Sequence, residues 1–152
     1  MKIYILVSLI FLTFSNDNNI AKKEFTQIPN ITGNWQLFKM NPPKDNLISG
    51  YHEMFIDSTT INYISEIGLF RVDNYSIKDC NSITIDGKIT DITVLMQNDT
   101  LIFFRGSKIL TKYIRIKKGF TPQDYLSKKM NQKYFEDFYK REEIFLKSHK
   151  NN

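Results

Sequence analysis

The chain has 152 residues, 21 Lys and Arg against 16 Asp and Glu, and one cysteine. This length suits a single domain with one core, and a single thiol excludes any internal disulfide. Residues 117–152 hold nine basic and five acidic side chains, whereas 16–116 are balanced, so the body of the chain is a poor match for a nucleic-acid backbone.

Met1-Lys2 is a short basic start, and Ile3 to Phe14 is an apolar stretch broken only by Ser8 and Thr13. Thr13-Phe14-Ser15 then offers modest side chains ahead of a signal-peptidase cut, so residues 1–15 are expected to be a secretory leader. The stretch is too short for a membrane span, which takes about 20 residues; an uncleaved anchor or a buried first strand is the alternative. No cysteine follows it, so a lipid-anchored form is not expected, and the protein is expected to be secreted or periplasmic. Residues 16–30 are polar and Asn-rich without period, and read as a flexible lead-in.

From Ile31 the pattern changes to short apolar runs with punctuation between them. Strands are predicted over 35–40, 51–56, 60–65, 69–77, 82–86, 89–96, 100–105 and 109–116. Asp86-Gly87, between Ile83/Ile85 and Ile89, supplies the positive φ angles of a tight hairpin. Gln97-Asn98-Asp99 and Gly106-Ser107 read the same way. Ile92, Val94 and Met96 alternate with polar neighbours, a half-buried strand pattern. Leu101 to Phe104 is apolar on both faces and needs cover outside as well as inside.

That cover comes next. Thr121-Pro122-Gln123-Asp124 places a capping hydroxyl, a proline at the first helical position and an acid in the first turn. One helix is predicted to run on to about His149. Leu126, Met130, Tyr134, Phe138 and Phe145 lie along one side, widened by Phe135, Tyr139 and Leu146. The apolar stripe is broader than a surface helix needs. Packing on the barrel's outer wall is the default reading; the alternative is that the extra width meets a protein partner or a second copy, with a membrane surface the weaker fit.

Gly33-Asn34-Trp35 with Leu37 behind it, a meander of about eight strands, Tyr113-Ile114-Arg115 on the last strand and a helix after it resemble the lipocalin-like, or broader calycin, group of small secreted barrels. The resemblance implies an all-β fold: an eight-stranded antiparallel up-and-down barrel over 31–118, with an amphipathic C-terminal helix over 119–150 packed outside. In that group the Trp of Gly-x-Trp closes the base of the barrel and an arginine of the last strand packs across its ring. Gly33, Trp35 and Arg115 would therefore form a structural plug, a guanidinium on an indole face being a strong cation–π geometry. The chain departs from better-known lipocalins: a mid-barrel Thr-Asp-Tyr stretch and the disulfides are missing. Asn41 to Asn46 is too short for the helical lid of fatty-acid-binding proteins, and no polar set marks an avidin-like pocket.

Phe55, Tyr63, Phe70, Ile92, Val94, Phe103 and Tyr113 are the bulky members of alternating runs, and they are the expected lining of a cavity for a small hydrophobic ligand. Eight strands are just wide enough to be filled by side chains or to hold one small ligand. The alternative is thus a filled barrel, an interaction or inhibitor scaffold working through its loops or helix. The 41–50 loop joins the first two strands over the open mouth, as a lid or a plain surface loop.

Catalysis is not expected. His52 and His149 lack metal-ligand spacing, His52 and Glu53 point to opposite faces of a strand, and no nucleophile or phosphate motif appears. No cofactor is called for. Asn30, Asn74 and Asn98 sit in glycosylation sequons, which matter only in a host that glycosylates. Cys80 is read as buried in or beside the barrel wall, with intermolecular pairing as the alternative.

Overall fold

A computed structural model describes residues 29–41, 50–78, 81–128 and 131–149. The expected leader, most of the expected lead-in over 16–30, most of the 41–50 loop, Cys80 and Met130 lie outside the described residues. Eight strands run β1 Gly33–Met40, β2 Glu53–Ile56, β3 Thr60–Ser65, β4 Gly68–Ile77, β5 Ser82–Ile85, β6 Lys88–Gln97, β7 Thr100–Arg105 and β8 Lys108–Arg115. Each pairs antiparallel with the next, and β1 pairs with β8, so the sheet closes as an up-and-down barrel.

Turn chemistry fixes the hairpins. Asp86 and Gly87 have φ values of 48° and 75°, the two positive angles a two-residue turn needs between Ile85 and Lys88. Register then decides which side chains point inward, because paired residues share a face. Trp35 pairs with Met54, Met54 with Tyr63, and Tyr63 with Arg71. On the other side Leu37 pairs with Tyr113, Tyr113 with Leu101 and Leu101 with Met96. These rows line the interior, and Trp35, Leu37, Met54, Ile56, Ile61, Val94 and Leu101 bury fully there.

The outer face of β1 and β2 is covered by helix. α1, Pro122–Leu126, starts as the sequence indicates: Thr121 and Asp124 form a reciprocal capping box with Pro122 at the first turn. The single long helix of the sequence reading is, however, divided. Ser127 caps α1, Lys128 turns left-handed at φ 58°, and α2 runs separately over Asn131–His149. The break lets both helices lie against a curved wall, with Tyr134 and Phe138 fully buried and Phe135 and Phe145 packed around them. Tyr51 meets Phe138 and Phe145 at 5.1 and 5.4 Å. Among the described residues no helix is long and apolar enough to cross a membrane.

A charged pair also bonds the helix to the wall. Glu53, 0% exposed, accepts hydrogen bonds from Arg141 Nε at 2.6 Å and Nη2 at 3.0 Å, from Tyr51 at 2.8 Å and from Tyr134 at 3.0 Å. Arg141 Nη2 also donates to the Phe120 carbonyl, and Asp137 accepts from the Phe120 N–H. The segment between β8 and α1 is thereby tied to α2.

Candidate functional site: the barrel lumen and its mouth

The base of the barrel is built from β1 and β8. The Arg115 guanidinium lies 4.3 Å from the Trp35 ring centre, donates to the Thr32 carbonyl at 3.2 Å and faces Asp99. Trp35 Nε1 donates to the Ile31 carbonyl at 2.9 Å, so the buried indole has its one donor satisfied. Gly33 has φ +136°, and a Cβ there would collide with Arg115 Nη1. Glycine at this position is what admits the guanidinium to the indole face.

The opposite end is lined by rings. Tyr63 of β3 lies 6.0 Å from His52 and 6.1 Å from Phe70 of β4; Tyr113 of β8 lies 5.6 Å from His52 and 5.9 Å from Phe103 of β7. Val94 and Ile92 of β6 share this face through the pairs Val94–Phe103 and Ile92–Arg105. Six of the seven cavity residues read from the sequence are thus on one interior surface. Phe55 is not. It pairs with Asn34 and Asn62 and shares the parity of Tyr51 and Glu53, which puts it on the outer face. The sequence does not separate the two faces of β2, because a helix covers its outside and both faces carry bulky residues.

His52, Arg71 and Asp73 bring polar side chains to the interior, beside the Thr111 hydroxyl that bonds Tyr113. His52 Nδ1–H donates to the Gly50 carbonyl at 3.1 Å, which leaves Nε2 to accept from the Tyr113 hydroxyl at 2.7 Å. Burial lowers the His52 pKa to about 4, so the ring is neutral near pH 7. Arg71 Nε donates to Asp73 Oδ1 at 2.8 Å, and its guanidinium lies 5.6 Å from the Tyr63 ring centre. The bond to Asp73 holds the Arg71 pKa above its ordinary value. Burial, and then the Asp73 charge, push the Tyr63 phenol well above its usual range. Arg71 and Asp73 escape a reading by alternation because β4 is bulged opposite Tyr63 and Ile64, which brings Phe70 and Arg71 to the same side.

The wall is lowest beside this cluster. β5 is four residues long and pairs with β4 only at Tyr75, Ser76 and Ile77. Residues 68–73 of β4 rise above it with no strand partner on that side among the described residues. Phe70, 38% exposed, and the Arg71 side chain, 40% exposed, sit in this notch. A separate groove of about 430 Å³ lies outside the barrel, where Gln36, Thr100 and Ile114 meet Lys117, Lys118 and Arg141. It shares none of the lumen residues.

Family models, curated proteins and solved structures give no match to this chain. The class it belongs to is therefore defined by its own geometry: an eight-stranded, all-antiparallel closed barrel with helices packed outside, consistent with a calycin-like fold.

Proposed function

We propose that this chain is an exported carrier that holds a small, mainly apolar molecule in the lumen of its barrel, without catalysis. The observation that carries the reading is the contrast between the two ends. Trp35 is wholly buried beneath Arg115, whereas Tyr63, Phe70 and Ile92 face the same interior and keep exposure at the other end. An interior sealed at one end and ring-lined at the other suits burial of apolar ligand area, worth roughly 25 cal/mol per Å² before ordering costs. Export rests on the apolar leader Ile3 to Phe14.

The test is native mass spectrometry of the leader-free protein purified gently from its host. An added mass removed by organic solvent supports the carrier. A bare protein that also fails to brighten a neutral apolar dye such as N-phenyl-1-naphthylamine sinks it.

A second reading, an interaction scaffold, draws on α2. Tyr139, Ile144 and Leu146 remain 50%, 69% and 48% exposed on its outer side. A protein or second copy retained in the same mass spectrum would favour it.

A further inference from the structure

We infer that the barrel mouth selects a ligand whose head is an uncharged oxygen acceptor, such as a ketone or ester carbonyl, over a carboxylate or an amine. This rests on the carrier reading and specifies its cargo.

Donors are in excess there. The guanidinium of Arg71 has five N–H groups, and the hydrogen bond to Asp73 uses the one on Nε. Its terminal nitrogens and the Tyr63 hydroxyl have no hydrogen-bond partner among the described residues. The remaining polar groups, His52, Tyr113 and Thr111, are bonded among themselves and to the backbone. Tyr113 donates to His52 Nε2, and His52 Nδ1–H is spent on the Gly50 carbonyl. A head that accepts hydrogen bonds therefore finds more free donors there than a donating head finds acceptors, which are limited to the rest of the Asp73 carboxylate and the Tyr63 oxygen.

Net charge is not in excess. Asp73, almost fully buried, already matches Arg71 at 2.8 Å, and Asp86 on the β5–β6 turn lies close enough to act on the same guanidinium. His52 contributes no charge near pH 7. A carboxylate would enter beside Asp73 and Asp86 with a single cation already engaged. An ammonium would find Asp73 occupied and the Arg71 charge ahead of it. A neutral carbonyl meets the free N–H and O–H groups without either penalty. The rings of His52, Tyr63, Phe70, Phe103 and Tyr113 supply the apolar surface beside these groups.

The experiment is displacement of N-phenyl-1-naphthylamine at pH 7.5 by 2-undecanone, undecanoate and undecylamine, on the wild-type protein and on Tyr63→Phe. The Tyr63 hydroxyl has no hydrogen-bond partner among the described residues, so this variant is expected to fold as the wild type does. The ketone should compete about tenfold better than either ion, and Tyr63→Phe should cost the ketone about fivefold while leaving the ions unchanged. A double variant, Arg71→Gln with Asp73→Asn, removes both charges together and should shrink the discrimination against the ions. Tighter binding of undecanoate or undecylamine overturns the inference. So does equal binding of all three, although the carrier reading then stands. A protein that takes up neither the dye nor any chain takes both readings down.

Discussion

Arg141 of α2 and Glu53 of β2 face each other through two parallel hydrogen bonds, with the carboxylate fully buried and the guanidinium side chain only 12% exposed. Tyr51 and Tyr134 complete the carboxylate's partners, and burial followed by the Glu53 charge drives both phenols well above their ordinary range. The pair fixes where the helix docks, since Glu53 has no access to water once α2 is in place. Arg141→Met strands that charge and is expected to cost about 3–5 kcal/mol in urea unfolding. Combining it with Glu53→Leu should recover most of the loss, because both charges then leave the interface together. A single-variant cost below about 1 kcal/mol would mean that the aromatic contacts alone seat the helix.

The plug makes a similar two-sided prediction. Trp35→Ala removes the largest fully buried side chain and should cost about 3–5 kcal/mol. Gly33→Ala leaves the indole in place but drives a Cβ into Arg115 at a φ of +136°. Its expected cost is about 1–3 kcal/mol, with a red shift of tryptophan emission as the guanidinium leaves the ring. Unchanged emission in Gly33→Ala would separate the glycine from the cation–π contact.

How far the sequence carried the fold depends on the element. Thr60–Ser65 and Thr100–Arg105 are delimited in the sequence as they are in space, because turn residues bound clean apolar runs on both sides. The Trp35–Arg115 contact was anticipated through the resemblance to lipocalin-like barrels, in which the Trp of Gly-x-Trp takes an arginine of the last strand across its ring. The inner face was legible only where alternation is unbroken, as at Ile92 and Val94. Phe55 was misread because its strand is buried on both faces. Arg71 and Asp73 were missed because a bulge in β4, which has no residue signature of its own, changes which side of the strand they occupy. The split between α1 and α2 was hidden for a related reason: its left-handed residue is Lys128, where a glycine would have marked the stop.

Lys128 therefore offers a stabilising substitution. A lysine at φ 58° has its Cβ crowded by the backbone, which glycine avoids. Lys128→Gly is expected to gain about 0.5–1 kcal/mol, less the entropy that glycine adds to the unfolded chain. The side chain is exposed, so no packing is lost. Thermal unfolding followed by far-UV circular dichroism checks the sign. A loss of stability would show that the lysine makes a favourable contribution outweighing its backbone strain.

His52 links the lumen to acid. Its folded pKa is about 4, against an ordinary value of 6.5, because burial disfavours the charged ring. Between these values the unfolded chain takes up a proton that the folded one refuses, so stability rises with pH through this window. The contribution is complete above about pH 6.5 and is lost as pH falls toward 4, to a total of roughly 3 kcal/mol. Protonation would also end the acceptor role of Nε2 toward the Tyr113 hydroxyl, loosening the ring cluster at the mouth. Urea midpoints measured from pH 7 to pH 4 should therefore fall more steeply for the wild type than for His52→Gln, which has no proton to gain. Parallel slopes in the two proteins would place the acid sensitivity elsewhere. A flat wild-type profile would mean that the ring takes up its proton without leaving the lumen.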